Sequence, residues 1–323
     1  MNVLVTGAAG FIGAYVCRAL AARGESVLGI DNFNDYYEPQ LKRDRVKALC
    51  PEVRVVPLDL ADAGRIDALF AEFKPDQVVH LAAQAGVRYS ISNPNVYADS
   101  NLVGFTHILE ACRRHGVAHL VYASSSSVYG GNAVAPFSED QRIDQPLSFY
   151  AATKAANELM AHSYAHLYRL PLTALRFFTV YGAWGRPDMA PLLFARAVLA
   201  GRPIEVFNHG CMRRDFTHVS DIVAGVLGAL DTVPADDGAP PHRVYNLGNH
   251  TPVELERFIE IIEQAAGVPA QKVYRELQPG DMVETMADTR RAAAAFGYAP
   301  RTRLEDALPE VVTWCRDYFG ERA

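Results

Sequence analysis

Nowhere in the 323-residue chain does an uninterrupted apolar run approach the ~18 residues needed to cross a bilayer. No basic run occurs either, and the net charge is -6, which excludes the concentrated cationic surface that nucleic-acid binding demands. Five cysteines (Cys17, Cys50, Cys112, Cys211, Cys315) are scattered without metal-ligand spacing. No metal is therefore expected, and free thiols filling core sites are the better reading for all five. No secretion signal, internal repeat or low-complexity segment is found, so a soluble cytoplasmic protein is expected. What is present is 50% hydrophobic, enough for one large domain or two moderate ones sharing a core.

Asn2–Thr6 is a short apolar run, followed by Gly7, Gly10 and Gly13 and then a helical pattern ending at Gly24. A strand, a glycine turn and a helix bring backbone amides at a helix N-terminus within reach of a pyrophosphate. The spacing G-x-x-G-x-x-G matches the generic dinucleotide fingerprint only loosely. Ser26–Ile30 is a second strand, and Asp31 stands at its end, 18 residues past Gly13. A carboxylate there faces the adenosine ribose hydroxyls and repels a 2′-phosphate, which selects NAD over NADP. A simple strand-end turn residue is the alternative.

Further strands are expected at Val53–Leu58, Gln77–Leu81, Ala118–Ala123 and Leu172–Phe178, with a helix around Asn101–Arg114. The first of these ends at Asp59–Leu60, placed for adenine, and the second in Ala82, Ala83, Gln84, Ala85 and Gly86, beside which a ligand can lie. Strands separated by helices give an α/β chain with a doubly wound parallel sheet and ligands at the strands' carboxyl ends. His80 reads as a core histidine rather than a catalytic one. Ser124–Ser127 ends the fifth strand, and buried hydroxyls need partners. They read as groups for a substrate or as a serine-rich turn.

Past residue 178 the alternation thins into a smaller α/β lobe, 179–323, with segments near 215–250 returning to the first unit, 1–178. It holds a helix around Pro191–Ala200, strands near Ile204–Phe207 and Val244–Leu247, the turn Asn208–Gly210 and a surface loop at Pro234–Pro241. Arg213 and Arg214 either meet a phosphate or form a solvated pair. Pro309 means that the last helix, with Trp314, starts late or bends.

Tyr150 and Lys154, four apart in a helical run, lie on one face. At an effective dielectric near 20 and about 4 Å, an ammonium favours phenolate by roughly 4 kcal/mol. That is roughly three pKa units, enough to bring a phenol near neutrality and make it a general base. Taken alone, the pair is also an ordinary helix face.

In order and spacing, Gly7/Gly10/Gly13, Asp31, Asp59–Leu60, Ser124–Ser127 and Tyr150-x-x-x-Lys154 resemble the extended short-chain dehydrogenase/reductases. Within them the likeness is to the nucleotide-sugar epimerases and dehydratases, from Asn2 to about Phe319. The stretches Asp31–Tyr37, Ala85–Tyr89, Arg176–Gly182, Trp184–Ala190, Asn208–Gly210 and Met212–Phe216 resemble UDP-glucuronate 4-epimerases. The resemblance implies a Rossmann domain with a smaller α/β UDP-sugar-binding domain, a tightly held NAD regenerated at each turnover, and a homodimer through the helices around 101–114 and 150–168.

It further implies that Tyr150 takes the 4-hydroxyl proton, that Lys154 holds the cofactor ribose, and that Ser125 bridges Tyr150 and substrate. The implied NAD contacts are Gly7, Ala9, Gly10, Phe11, Ile12, Gly13, Asp31, Asn32, Asp59, Leu60, Leu81, Ala82, Ala83, Gln84, Asn101, Tyr150, Lys154 and Phe177. For the substrate they are Ser125, Ser126, Ser127, Met189, Phe207, Arg214, Gln278 and Asp281. Arg88, Arg186 and Thr179 are candidates for gripping an anionic sugar, the arginines bidentately, although both arginines can equally be structural. Dehydratase relatives carry an Asp-Glu pair where Ser126 and Ser127 stand, and decarboxylase relatives a Glu nearby. Their absence argues for C-4 epimerisation of UDP-glucuronate and UDP-galacturonate. The alternatives are a UDP-glucuronate decarboxylase, a 4-epimerase of neutral UDP-sugars, and a non-catalytic NAD-binding regulator.

Overall fold

The computed structural model describes residues 1–278 and 281–320. Strands β1 (Asn2–Thr6), β2 (Ser26–Asp31), β3 (Arg54–Pro57), β4 (Gln77–His80), β5 (His119–Ser125) and β6 (Leu172–Phe177) alternate with helices. These are α1 (Phe11–Ala22), α2 (Pro39–Leu49), α3 (Ala63–Phe73), the short turns α4 (Tyr89–Ser92) and α5 (Pro94–Tyr97), α6 (Gly104–Arg114) and α7 (Phe149–Tyr168). Then follow β7 (Thr179–Tyr181), α8 (Ala190–Leu199), β8 (Ile204–Phe207), β9 (Arg213–Arg214), β10 (Phe216–His218), α9 (Val219–Asp231) and β11 (His242–Leu247). The chain finishes with β12 (Val253–Glu254), α10 (Leu255–Ala266), β13 (Lys272–Arg275), α11 (Arg290–Phe296) and α12 (Leu304–Phe319).

Seven strands form one parallel sheet in the order β11-β6-β5-β4-β1-β2-β3. The order reverses between β1 and β4, where a doubly wound sheet opens a crevice at its carboxyl edge. The inner strands are apolar without alternation, as at Val3–Val5 and Val78–Val79, because helices cover both faces. One core lies between α1, α9 and the sheet, and another between the sheet and α3, α6 and α7.

A further core joins α8, α10, α12 and β8. It is built from apolar stripes at helical spacing, such as Leu255, Phe258, Ile259, Ile262 and Ala266 on α10. The later chain returns to the large sheet more often than the sequence indicates. Besides α9 and β11, Ala292 of α11 and Tyr298 after it join the α1-side core. Helix α12 runs unbroken from Leu304 through Pro309. Four cysteines are buried, but Cys211 is exposed. It follows a tight turn in which Asn208 and His209 both have positive φ, so it is carried outward rather than into a core.

Candidate active site

A cavity of about 680 Å³ lies along the carboxyl edge of the sheet. One end is the turn after β1. Gly7 has φ +69° there, and a Cβ would stand 2.7 Å from the Ala82 amide nitrogen. At Gly13 a Cβ would come within 2.0 Å of the Gly7 carbonyl oxygen. The glycines thus let α1 close onto β1 and β4, with Gly10, Phe11, Ile12 and Gly13 of its first turn facing the cavity. Asp31 follows at the end of β2. Its Oδ2 accepts the Ala9 amide at 3.2 Å and its Oδ1 the Phe33 amide at 2.8 Å, which aims the carboxylate along the cavity wall. Asn32 donates to Asp59 Oδ2 at 2.9 Å, and both line the same end with Leu60, Leu81, Ala82, Ala83 and Gln84.

Ser148 caps α7 by accepting the Ala151 amide at 3.1 Å, which puts Tyr150 in the helix's first turn. Tyr150 and Lys154 line the cavity together with Ser124–Ser127, Phe177 and Thr179. Ser125 Oγ accepts from Ser127 Oγ at 2.9 Å and from the Ser127 amide at 3.2 Å, so its own hydrogen remains for Tyr150 or a ligand. Ser124 is different: its Oγ donates to Glu158 at 2.5 Å inside the protein.

The expected effect of Lys154 on Tyr150 is not found. Lys154 Nζ donates to the Ala123 carbonyl at 2.8 Å, because the buried ammonium turns to the strand-end oxygen within reach. Burial pushes the Tyr150 phenol above its ordinary value, while Ser125 and Arg186 pull it down. Burial also lowers Lys154, to about 8, against the pull of Glu158. His80 is a core histidine, bonded to Thr6 Oγ1 at 2.8 Å and held neutral by burial and by Lys154.

The lining also takes in Arg88, Arg186, Met189, Phe207 and Asp281, with Arg186 close enough to Tyr150 to act on its phenol. Arg186 is engaged already: Nε donates to Asp188 Oδ1 at 3.1 Å and Nη2 to Oδ2 at 2.5 Å, with the guanidinium 5.9 Å from the Tyr36 ring. Tyr36 Oη donates to the same carboxylate at 2.9 Å. Burial works against the Arg186 charge, but Asp188 outweighs it and holds the guanidinium above its ordinary value. Arg88 lies over the Phe207 ring at 4.9 Å and reaches Asp281 at 3.4 Å.

Four expected contacts stand outside the lining. Ala9 is fully buried, its amide given to Asp31 and its carbonyl to Arg45. Asn101 uses both amide hydrogens on the Gln84 carbonyl and Thr153 Oγ1, fastening the end of β4 to α7. A π-turn over Ala98–Val103 ahead of α6 places it there. Arg214 is lowered by burial, with Asp281 supporting its charge. Gln278 meets Asp281 through the backbone, its carbonyl accepting that amide at 3.2 Å. Arg213 pairs with Glu284 at 2.9 Å, as a surface cation does.

Sequence reasoning missed Tyr36, Arg45, Tyr97, Glu158 and Asp188. Glu158 was within reach of it, one helical turn beyond Lys154; Arg45 carried no local signal.

The glycine-closed turn, the carboxylate at the end of β2 and two unused hydrogens on Lys154 fit a dinucleotide lying from Gly10 to Tyr150. Residues 3–248 match the model of the NAD-dependent epimerase/dehydratase family. The chain is 48% identical over 332 residues to UDP-glucuronate 4-epimerase 3 of Arabidopsis thaliana, covering 99% of this chain and 77% of that protein. It is 47% identical over 333 residues to Protein CapI of Staphylococcus aureus, covering 99% of both. The crystal structure of UDP-glucuronic acid 4-epimerase from Bacillus cereus, in complex with UDP-glucuronic acid and NAD, superposes with a TM-score of 0.91 at 32% identity, covering 98% of this chain and 100% of that one. A match over three quarters of its length, with these relatives, places the chain in the NAD-dependent epimerase/dehydratase family.

Proposed function

We propose that this protein interconverts UDP-glucuronate and UDP-galacturonate by oxidation, rotation and re-reduction at C-4. The observation that carries the reading is the reacting end of the cavity. Tyr150 lies with Ser125, Ser126 and Ser127 on the cavity wall, and the nearby acidic side chain, Asp188, is paired with Arg186 and hydrogen-bonded by Tyr36. A proton acceptor with hydroxyls and no free carboxylate can open and close a carbinol without eliminating water.

Bound NAD⁺ supplies the reversible hydride acceptance that inversion at C-4 requires. Tyr150 takes the 4-hydroxyl proton and later returns it, with Ser125 bridging phenol and substrate. Lys154, through its two unused hydrogens, would hold the cofactor ribose. Oxidising glucuronate at C-4 gives a β-keto acid that can lose carbon dioxide, so the carboxylate must be held still. Thr179 and the Ser126–Ser127 hydroxyls hold it, and Arg186 supplies the positive field. Arg88 and Phe207 form the nucleotide end, an arginine over an aromatic ring that can sandwich uracil.

The large sheet with α9 and β11 forms the NAD-binding domain, and the core of α8, α10 and α12 the UDP-sugar-binding one. A homodimer is supported by apolar side chains left exposed on α7, Leu159 at 70% and Leu167 at 63%. A monomer mass by light scattering would overturn that. No helix among the described residues is long and apolar enough to cross a membrane. The five free thiols support a reducing, cytoplasmic setting.

Incubation with UDP-glucuronate tests the activity. Unchanged mass with inverted C-4 in the proton NMR spectrum is expected. Loss of carbon dioxide, or turnover of neutral UDP-sugars alone, sinks the reading.

A further inference from the structure

The face of α7 that carries Tyr150 and Lys154 continues one turn further to Glu158, a side chain with no part in the chemistry above. Glu158 is buried. Arg176 of β6 meets it with two hydrogen bonds, Nε to Oε1 at 2.9 Å and Nη2 to Oε2 at 2.7 Å, and Ser124 Oγ adds a third to Oε1. A buried ion pair is weak evidence for stability, because desolvation offsets much of the Coulomb gain. Its position needs another reason.

The surroundings supply one. Lys154 binds the Ala123 carbonyl and Glu158 binds Ser124, so both ends of the charge pattern grip adjacent residues of β5, immediately before Ser125. The other titratable groups packed here are His80 on β4, Tyr122 on β5, Tyr129 just after β5, His162 on α7 and His242 on β11. Burial holds His80 and His242 in their neutral forms, at about 3 and about 4, and raises the phenols of Tyr122 and Tyr129. That leaves two cations, Lys154 and Arg176, and one anion between them.

We propose that Glu158 is a positioning residue for the reaction: its carboxylate is the counter-charge of the Lys154 ammonium and, through Ser124, the anchor of the strand end that carries Ser125. The inference rests on the epimerase reading, in which Lys154 acts as a cation. Burial alone drives Lys154 down, and Glu158 is the group that draws it back up. Without Glu158 the ammonium shares its site with an uncompensated guanidinium. Without Arg176 it faces an anion with no other partner.

The test is the pH dependence of UDP-glucuronate turnover by the holoenzyme, wild type beside E158Q, R176Q and E158D. In parallel, the Lys154 side chain is titrated by NMR on lysine labelled with carbon-13 at Cε, the resonance being assigned with Lys154→Arg. In E158Q the alkaline fall in turnover and the NMR midpoint should both move to lower pH, by about one to two units. In R176Q both should move to higher pH, and E158D should stay near wild type. A pair that only stabilises the fold would lower the melting temperature of both variants and leave the midpoints where they were, which overturns the proposal. If E158Q does not fold, R176Q decides alone: an upward shift supports the assignment and an unmoved midpoint refutes it. A wild-type enzyme without turnover refutes the epimerase reading, while the NMR midpoints still judge Glu158.

Discussion

Arg45 Nη1 donates to the Ala9 carbonyl at 2.6 Å, so the glycine turn is held from behind by a fully buried guanidinium. The same side chain donates to the carbonyls of Trp184 at 2.8 Å and Gly185 at 3.2 Å, and to Tyr37 Oη at 3.1 Å. No carboxylate pairs with it among the described residues. One cation on α2 therefore ties the cofactor end of the cavity to the loop that carries Arg186. Trp184 has a positive φ of 61°, unusual for a bulky residue, and the clasp holds it there.

Arg45→Met removes that clasp and leaves several buried acceptors unpaired, each worth about 1–3 kcal/mol. A loss of about 4 kcal/mol in urea unfolding is expected, together with NAD that washes out on gel filtration. A loss below about 1 kcal/mol with NAD retained would show that the turn holds itself.

Tyr150→Phe removes the proton acceptor while keeping the ring that meets Tyr97 edge-on at 6.1 Å. Turnover should fall by about 10²- to 10⁴-fold. UDP-glucuronate should still bind within a few-fold of wild type by calorimetry. The wild-type profile should fall on the alkaline side as Lys154 loses its proton near the value of about 8. Turnover that survives the substitution would move the base elsewhere.

Local features made the first half of the chain legible. Apolar runs, glycines and the acid at the end of β2 are set by neighbours in sequence, and the first six strands lie within two residues of their expected ends. What escaped is set by residues far apart. Lys154 reaches Ala123 rather than Tyr150 because β5 passes under α7. Arg186 meets Asp188, which Tyr36 of a distant segment also holds, so an arginine expected to wait for a ligand is already half satisfied. Nothing in residues 290–298 announces a return to the first core, since a short alanine-rich helix packs equally well on any apolar face.

Arg186→Ala tests what that half-satisfied arginine does. It removes the cation that draws Tyr150 down and that offsets Asp188. Turnover should fall more steeply for UDP-glucuronate than for UDP-glucose, and Asp188→Asn should lower it less. Equal losses on both sugars would take Arg186 away from the carboxylate and leave it the Tyr150 role alone.

His119 gives a stability prediction with a definite sign. It is fully buried on β5, with Nδ1 3.2 Å from the Leu230 carbonyl and Nε2 2.9 Å from Thr173 Oγ1. A carbonyl only accepts, so Nδ1 carries the hydrogen and Nε2 accepts from Thr173. Burial lowers this histidine from 6.5 to about 4. The folded state thus binds fewer protons than the unfolded chain between those values, and stability is lost as pH falls below about 6.5. At pH 5 the loss is on the order of 2 kcal/mol from this residue, and none remains at pH 7.5. Urea unfolding of wild type and His119→Asn at both pH values checks it. The variant starts from lower stability because its contacts change, but it should lose about 2 kcal/mol less on acidification; equal losses would assign the acid sensitivity to other groups, with His80 and His242 next in line.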